Sequence, residues 1–364
     1  MKKILCLIDV IGFGGGAERQ MTGLIQLLKK EGYIVDSVVY HYSDDIPSIK
    51  DRYGFAPTVL SVNNNPLSKL LAVRKFIKKS GGYDCVITYK VGPNAIGCIL
   101  RLVGMKFKLI VSERIVTQSL SLRNRLRFSL YRFADYVVPN SYSEGELLSK
   151  HFPFLKKKIK VITNFTDTSI FYPINSKNNR DVRKVLTVAR VVPQKNVMNY
   201  IDAIRLLFDR GVDKVLFEWY GGSYTASDDL YSKKAQAKVE ELGLINHFSF
   251  YPPTMDIANQ YRDCDIFCLP SSFEGFPNVI CEAMSCGKPI ACSRVCDNPY
   301  IVSENENGVL FDPTNPVDIA DRLQKMIEMS SEDINSWGEK SIKIAENRFS
   351  PKAFIDKYCE LIES

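Results

Sequence analysis

The sequence predicts an α/β protein made of two doubly wound, Rossmann-like parallel-sheet domains that face each other across a cleft. Three observations point there. Short apolar runs that suit buried strands alternate with amphipathic stretches of helical period. The alternation breaks once, at DTSIFYPINSKNNRDVR (167–183), where turn formers and charges occur without periodicity, and then it restarts. A length of 364 residues also accommodates two domains of ordinary size. The expected boundaries are 1–168 for the first domain, 169–182 for a linker, 183–349 for the second domain and 350–364 for a last helix.

Taken in order, KKILCLIDV reads as a first strand and ERQMTGLIQLLKKEG as a helix with Gly32 near its end. YIVDSVVY is a strand, LSKLLAVRKFIKKSGG a helix stopped by a glycine pair, and YDCVITYK and FKLIVSER are strands. SLRNRLRFSLYRFA reads as a long helix, and YVVPNS and KIKVITNF as strands that each end in a polar loop. After the linker come the strand KVLTVAR, a helix from about Asn196 to Arg210, the strand KVLFEWYGG and a helix through KKAQAKVEELG. The strands HFSFYP and DIFCLPS, the helix VICEAMSCG and the strands PIACS and NGVLF follow. The tail is helical, and its last helix opens at Ser350-Pro351, a capping residue before an N1 proline.

Composition narrows the function classes. Apolar content of 45% and charged content of 24% fit a globular protein, and no apolar run reaches the ~18 residues of a membrane span. The N-terminal MKKILCLIDV is too short in its apolar part for a signal peptide and carries Asp9, so a cytoplasmic location is expected. Ten cysteines include no C-x-x-C pair, and the spacings between Cys281 and Cys296 match no zinc module, so they read as reduced core residues. Residues 1–165 hold 26 Lys and Arg against 12 Asp and Glu, whereas residues 166–364 hold 22 against 29. A basic half of this kind faces something anionic. No helix-turn-helix, RNA-binding or zinc motif occurs, which argues against nucleic acid and for lipid head groups.

Ligands of doubly wound sheets lie beyond the carboxyl ends of the strands, so the loops there carry the chemistry. The first, GFGGGAERQ, matches the dinucleotide fingerprint literally as Gly12-x-Gly14-x-x-Ala17, with Asp36 as its distant acid. In VLTVARVVPQKN a strand is followed by Arg190 and Lys195, two cations beside a helix start that suit a diphosphate. In LPSSFEGFPNVICEAMSCGKPI, Glu274 lies in a loop and Glu282 eight positions later. Gly275 allows an unusual backbone angle and Pro277 suits the first helical position. The amides of Phe276 to Val279 would then point at an anion, with Glu282 placed to accept from ribose hydroxyls.

This block resembles the signature of the retaining glycosyltransferases of family 4, also called group 1, which have the GT-B fold. Their phrase S-x-x-E-G-F-P-N-V-x-x-E-A-M-A-C-G-x-P-V stands here as Ser271, Glu274 to Val279, Glu282, Ala283, Met284, Cys286, Gly287 and Pro289. Arg190-x4-Lys195 matches the family's G-R-L-x-x-x-K-N with Ala189 for Gly, GGAERQ its glycine loop and NGVLFDP its N-G-x-L-x-P. The resemblance runs from Lys3 to about Phe354. It implies that Arg190 and Lys195 bind the donor diphosphate and stabilise its leaving charge, with no metal or other cofactor. It also implies that Glu282 holds the ribose and that Glu274 contacts the donor sugar. Gly15, Gly16, Gly275, Phe276, Pro277, Asn278 and Val279 complete the donor site, and the last helix packs back towards the first domain.

Two positions depart from the family pattern. The cleft histidine after KLIVSERIV is absent, leaving Ser112-Glu113-Arg114, with Arg114 as the residue at that place. The family's G-G-x-P-E-I-V appears as Cys296 to Val302, with Tyr300 for the acid. Asp263-Cys264-Asp265 is a literal D-x-D, but it leads into a strand and reads as structural.

The resemblance implies a transferase moving a sugar from a UDP- or GDP-sugar to a glycan acceptor, lipid-linked, in bacterial cell-surface polysaccharide or lipopolysaccharide synthesis. A nucleotide-sugar epimerase, a phosphorylase, an NAD-dependent oxidoreductase and a non-catalytic sugar-nucleotide binder are the rival readings. In SLRNRLRFSLYRF, Leu122, Leu126, Leu130 and Phe133 lie near one face among Arg123, Arg125, Arg127 and Arg132. With Arg74, Lys75, Lys78, Lys79 and Lys156 to Lys158, this basic helix suits peripheral attachment to the inner face of an anionic membrane.

Overall fold

Every strand pairing in the two six-stranded sheets is parallel. The structure, a computed structural model, describes all residues except 13–14, 61–62, 64, 115–116, 118, 175–180 and 223–224. Residues Met1–Asn164 with Pro351–Ser364 form one unit and Phe165–Ser350 the other.

The first unit runs β1 (Lys3–Ile8), α1 (Gly16–Lys30), β2 (Ile34–Val39), α2 (Ile46–Tyr53), β3 (Thr58–Val59) and α3 (Pro66–Lys79). It continues with β4 (Cys85–Tyr89), α4 (Val91–Leu102), β5 (Lys108–Glu113), α5 (Leu122–Leu130), β6 (Tyr136–Pro139) and α6 (Tyr142–His151). Its strand order is β3-β2-β1-β4-β5-β6, so the winding reverses between β1 and β4. β1 and β4 lie at the centre of the sheet, and their residues from Ile4 and Cys85 onward are buried, as strands covered on both faces require.

The second unit runs β7 (Arg183–Val188), α7 (Val197–Asp209), β8 (Val215–Tyr220), α8 (Ala226–Glu241), β9 (Phe248–Tyr251), α9 (Ile257–Asp263) and β10 (Ile266–Leu269). Then come α10 (Asn278–Ser285), β11 (Ile290–Ser293), α11 (Asn298–Ile301), β12 (Gly308–Phe311), α12 (Pro316–Ile327) and α13 (Ser331–Phe349). The order β12-β11-β10-β7-β8-β9 is the same winding, with its reversal between β7 and β10. The last helix, α14 (Pro351–Glu363), belongs to the first unit.

Several expectations change. VGPNAIGCILRL, assigned to no element in the sequence, is α4. Proline is tolerated in a first turn, and Asn94 N donates to Lys90 O at 3.0 Å to close that turn. KIKVITNF is not a strand. Lys160 N donates to Val137 O at 2.9 Å and Ile162 N to Pro139 O at 3.2 Å, but only the bridge Val137–Ile159 is regular. The expected linker from Ser169 is packed at its start. Phe171 is buried against Tyr261, and Arg262 donates to Tyr172 O at 3.2 Å, because an apolar anchor there gains more from burial than from exposure. The remainder of that linker, 175–180, lies outside the described residues. Eight of the ten cysteines are buried and all ten are free thiols.

Candidate active site

In the second unit the loops after β7 and β10 meet at the winding reversal. The Arg190 loop is pinned from below. Ala189 N donates to Tyr220 O at 3.0 Å, and Trp219 Nε1 donates to Ala189 O at 2.8 Å. A Cβ on Gly221 would stand 1.8 Å from that same carbonyl, so only glycine lets β8 end so close to the loop. A 3-10 turn over Pro193–Lys195 ends at Asn196, whose φ of 59° is left-handed and whose Nδ2 donates to Pro313 O at 2.7 Å. The turn aims Lys195 at Glu274, and the two pair at 2.5 Å with side chains 14% and 10% exposed. Ser272 N to Gln194 O at 2.8 Å and Gln194 Nε2 to Phe273 O at 3.0 Å stitch the two loops together. Arg190 stands exposed on the same loop.

Beyond Glu274 the chain enters α10. Pro277 is the residue before the helix and not its first residue, with φ −81° and ψ 82°, and Asn278 N turns back to Phe276 O at 3.0 Å. The amides expected to face an anion as one set therefore lose Asn278, which is spent locally. Glu282 lies in the second turn and accepts from Tyr261 Oη at 3.0 Å, which fixes its carboxylate. Glu274 N donates to Cys296 Sγ at 3.5 Å, and Cys296 holds a left-handed φ of 47°. Ser271 Oγ is buried with no hydrogen-bond partner. Thus eight of the ten expected donor-site residues, and all three expected catalytic ones, lie on three adjacent segments of this unit.

Gly15 and Gly16 lie in the first unit, at the N-cap and first residue of α1. Glu18 folds back over them, since a Cβ on Gly15 would fall 1.8 Å from its Oε2, and Glu18 pairs with Lys90. The helix start expected to receive a donor phosphate is occupied by the chain's own carboxylate. Gly14 of the fingerprint lies outside the described residues, as does part of the Ser112–Thr117 loop. Asp36 sits mid-strand and accepts from Tyr83 Oη at 2.7 Å. It is not at the carboxyl end of β2, where a nucleotide ribose would need it, so the dinucleotide reading loses its acid.

Glu113 ends β5 fully buried. Burial raises its pKa to about 7, while Arg127 at 3.7 Å and the Tyr131 hydroxyl at 2.7 Å pull the other way. Arg114 is spent on structure. It donates to Asn164 Oδ1 and Tyr89 Oη, each at 2.7 Å, and to Tyr358 Oη at 2.9 Å, with its guanidinium 4.2 Å from the Tyr89 ring centre. Asp263 and Asp265 sit at the opposite, amino end of β10, where Lys184 Nζ and Lys184 N donate to them at 2.8 Å each.

Residues 14–170 match the model of Glycosyltransferase Family 4, and residues 171–344 match that of Glycosyl transferases group 1. The chain belongs to the group 1 glycosyltransferases. Over 353 residues this glycosyltransferase is 25% identical to an N-acetylgalactosamine-N,N'-diacetylbacillosaminyl-diphospho-undecaprenol 4-alpha-N-acetylgalactosaminyltransferase of Campylobacter jejuni, covering 90% of this chain and 91% of the relative. It is 30% identical over 210 residues to a D-inositol 3-phosphate glycosyltransferase of Corynebacterium glutamicum, covering 54% of this chain and only 49% of that relative. Among solved structures, Anabaena HepE in complex with UDP has the same fold, with a TM-score of 0.84, 22% identity and 99% of each chain covered.

Sequence reasoning missed two groups of residues in this glycosyltransferase. Lys90 and Glu18 pair at the reversal of the first sheet, as Lys195 and Glu274 do in the second. With residues 91–102 assigned to no element, the start of α4 goes unseen in the sequence, and with it Lys90 as the residue that follows a central strand. Glu113, Arg127, Glu144 and Thr117 form a buried polar network in which Thr117 Oγ1 donates to Glu144 Oε1 at 2.7 Å. Its sequence signal is that Glu113 closes a buried strand, just after the apolar run Leu109 to Val111.

Proposed function

We propose that this chain is a retaining, metal-independent hexosyltransferase. It moves a sugar from a UDP- or GDP-sugar to a glycan acceptor, lipid-linked, during assembly of a bacterial cell-surface polysaccharide. The observation that carries this reading is the Lys195–Glu274 pair at the reversal of the second sheet, with Arg190 on the same loop. A nucleoside diphosphate placed there meets two cations and the Glu282 carboxylate, which suits a ribose. In the transfer step the bond between the sugar C1 and the diphosphate oxygen breaks. The acceptor oxygen bonds to C1 on the same face, and its proton passes to the leaving diphosphate. Arg190 and Lys195 offset the charge that develops on that group, so the chemistry requires no metal ion. Glu274, held by Lys195, faces the sugar and stabilises the positive charge at C1.

The HepE structure with UDP supports the donor class, and the undecaprenol-linked substrate in the Campylobacter relative's name supports the acceptor class. Attachment to an anionic membrane is supported by α3 and α5. Leu67 and Leu71 on α3, and Leu122 and Leu126 on α5, are 51–74% exposed one helical turn apart, beside exposed Arg74, Lys75, Arg123 and Arg125. No helix among the described residues is long and apolar enough to cross a membrane.

Thermal shift of the wild type and of Lys195→Ala with UDP, GDP, dTDP and NADH tests the donor site. A ligand at ~100 times its Kd adds about 2.7 kcal/mol. The expected result is a rise with one nucleoside diphosphate and none with NADH, and a smaller rise in Lys195→Ala. A rise with NADH alone, or one that Lys195→Ala leaves intact, contradicts the reading.

A further inference from the structure

The outer edge of the first sheet carries a groove that the transfer chemistry does not use. β6 stands at that edge, and the chain that returns past it runs alongside from Lys158 to Ile162. Val137 N donates to Lys158 O at 3.0 Å and Lys160 N to Val137 O at 2.9 Å. Pro139 has no N–H to give back, so the pairing stops at one regular bridge, between Val137 and Ile159. The alternate backbone groups face outward. Among the described residues no hydrogen bond is made by the Val161 amide or by the carbonyls of Ile159 and Val161. A row of free N–H and C=O groups is an edge that another strand can join.

This edge is walled by α6. Gly145, Glu146, Ser149 and Lys150 of α6 face Ile159 and Val161 across an open groove of about 430 Å³, within the ~300–1,000 Å³ range of ligand clefts. A Cβ on Gly145 would fall 2.8 Å from Val161 Cγ2 and 3.8 Å from Ile159 Cγ2, so both branched side chains point at α6 and glycine lets the helix lie close. They are partly exposed and make an apolar floor, whereas Lys158 and Lys160 alternate to the opposite face. The rim is basic. Lys150 and Lys156 both line the groove and are exposed, against Glu146 alone. From Lys150 to Thr166 the chain carries five lysines and no Asp or Glu.

We propose that this groove is a docking site for an extended acidic segment of a partner protein, which adds to the sheet as a strand beside α6. The free backbone groups call for a partner that both donates and accepts, and an extended peptide does so in the required alternation. A lipid phosphate only accepts and would leave both carbonyls unmet. A second copy of the same edge would set lysine against lysine, and like charges across a strand pair are unfavourable. On the peptide face turned to α6, an apolar residue would lie over Ile159 and Val161, and an acidic one would meet Lys150 or Lys156.

The test is selection of random nine-residue peptides displayed on phage against the immobilised full chain, followed by fluorescence anisotropy of the enriched peptides. The expected peptides carry two or more Asp or Glu, with apolar residues at alternate positions. Val161→Pro deletes the free amide and leaves the bonds to β6 in place, since those use Lys160 N and Ile162 N. It should weaken binding about tenfold, through the loss of one hydrogen bond and the register it sets. Lys150→Glu with Lys156→Glu changes two exposed side chains that make no hydrogen bond among the described residues, so the fold should survive. This double variant should lose the acidic peptides and bind the same peptides with Lys in place of each acid, an exchange that a merely loosened groove does not produce. If Val161→Pro fails to fold, the charge exchange decides. No enrichment, enriched peptides without acidic residues, or binding that survives the folded variants overturns the proposal. So does capture by phosphatidylglycerol vesicles that the double variant abolishes while no peptide is selected.

Discussion

At the scale of single residues, two carboxylates of similar burial do different work. Glu274 is held by Lys195 in an open loop, whereas Glu113 is sealed beneath α5 with Oε1 unpaired. Because burial lifts the Glu113 pKa from 4.5 to about 7, the folded state retains a proton that the unfolded chain releases between those values. Stability conferred by this group is therefore intact below about pH 4.5 and is lost as pH rises through 7, by of order 3 kcal/mol. In Glu113→Gln, melting temperature from pH 5 to pH 8 should fall less steeply than in the wild type. Glu144, also raised by burial, leaves part of the slope. Parallel curves for the two proteins would refute the assignment. Lys195, Glu274 and Glu282 were legible in the sequence because their spacing recurs in a known family. Glu18 and Lys90 were not, since they lie far apart in sequence and only the sheet brings them together.

At the scale of elements, α5 divides the face that its sequence suggests. Leu130 and Phe133 pack on the first core, but Leu122 and Leu126 are exposed. The basic set divides too. Arg127 turns inward to Glu113, and Lys158 donates to Arg132 O at 2.6 Å and Ala134 O at 2.7 Å, so neither belongs to a membrane-facing surface. Exposed arginines beside exposed leucines remain, and each basic residue near an anionic surface contributes about 1 kcal/mol. Sedimentation with phosphatidylglycerol vesicles should capture the wild type, and less of it at high salt. Leu122→Asp with Leu126→Asp should release it. Equal capture by neutral phosphatidylcholine vesicles would show that the charge plays no part.

At the scale of the whole molecule, the chain leaves the first unit at Asn164, builds the second, and returns through α14. Five large apolar side chains of α14, Phe354, Ile355, Tyr358, Leu361 and Ile362, are buried in the first unit. Lys2 Nζ donates to Ile362 O at 2.8 Å, and Lys108 Nζ to Leu361 O and Ile362 O at 3.1 and 3.0 Å, which caps its C-terminal carbonyls. Burial of this kind, on the order of 10 kcal/mol, is comparable to the total stability of a domain. A chain ending at residue 350 should therefore lose the fold of residues 1–164 and keep that of 165–350. Limited proteolysis would cut the first segment rapidly and spare the second. Equal resistance of both would show that α14 is dispensable.

The sequence by itself determined the alternation of strands and helices, the presence of two similar domains, and the residues of the candidate-site loops. Each of these is written locally, in apolar period, turn chemistry and a contiguous phrase. Only the tertiary structure decided that Arg114 ties β4 to α14, that Asp36 is spent on Tyr83, that Glu18 fills its own helix start, and that Ile159 and Val161 run along β6 against α6. The physical reason is that strand order, and not chain order, sets which loop ends become neighbours. A parallel sheet places β1 beside β4 and β7 beside β10, across some seventy to eighty residues of chain that carry no local sign of the pairing.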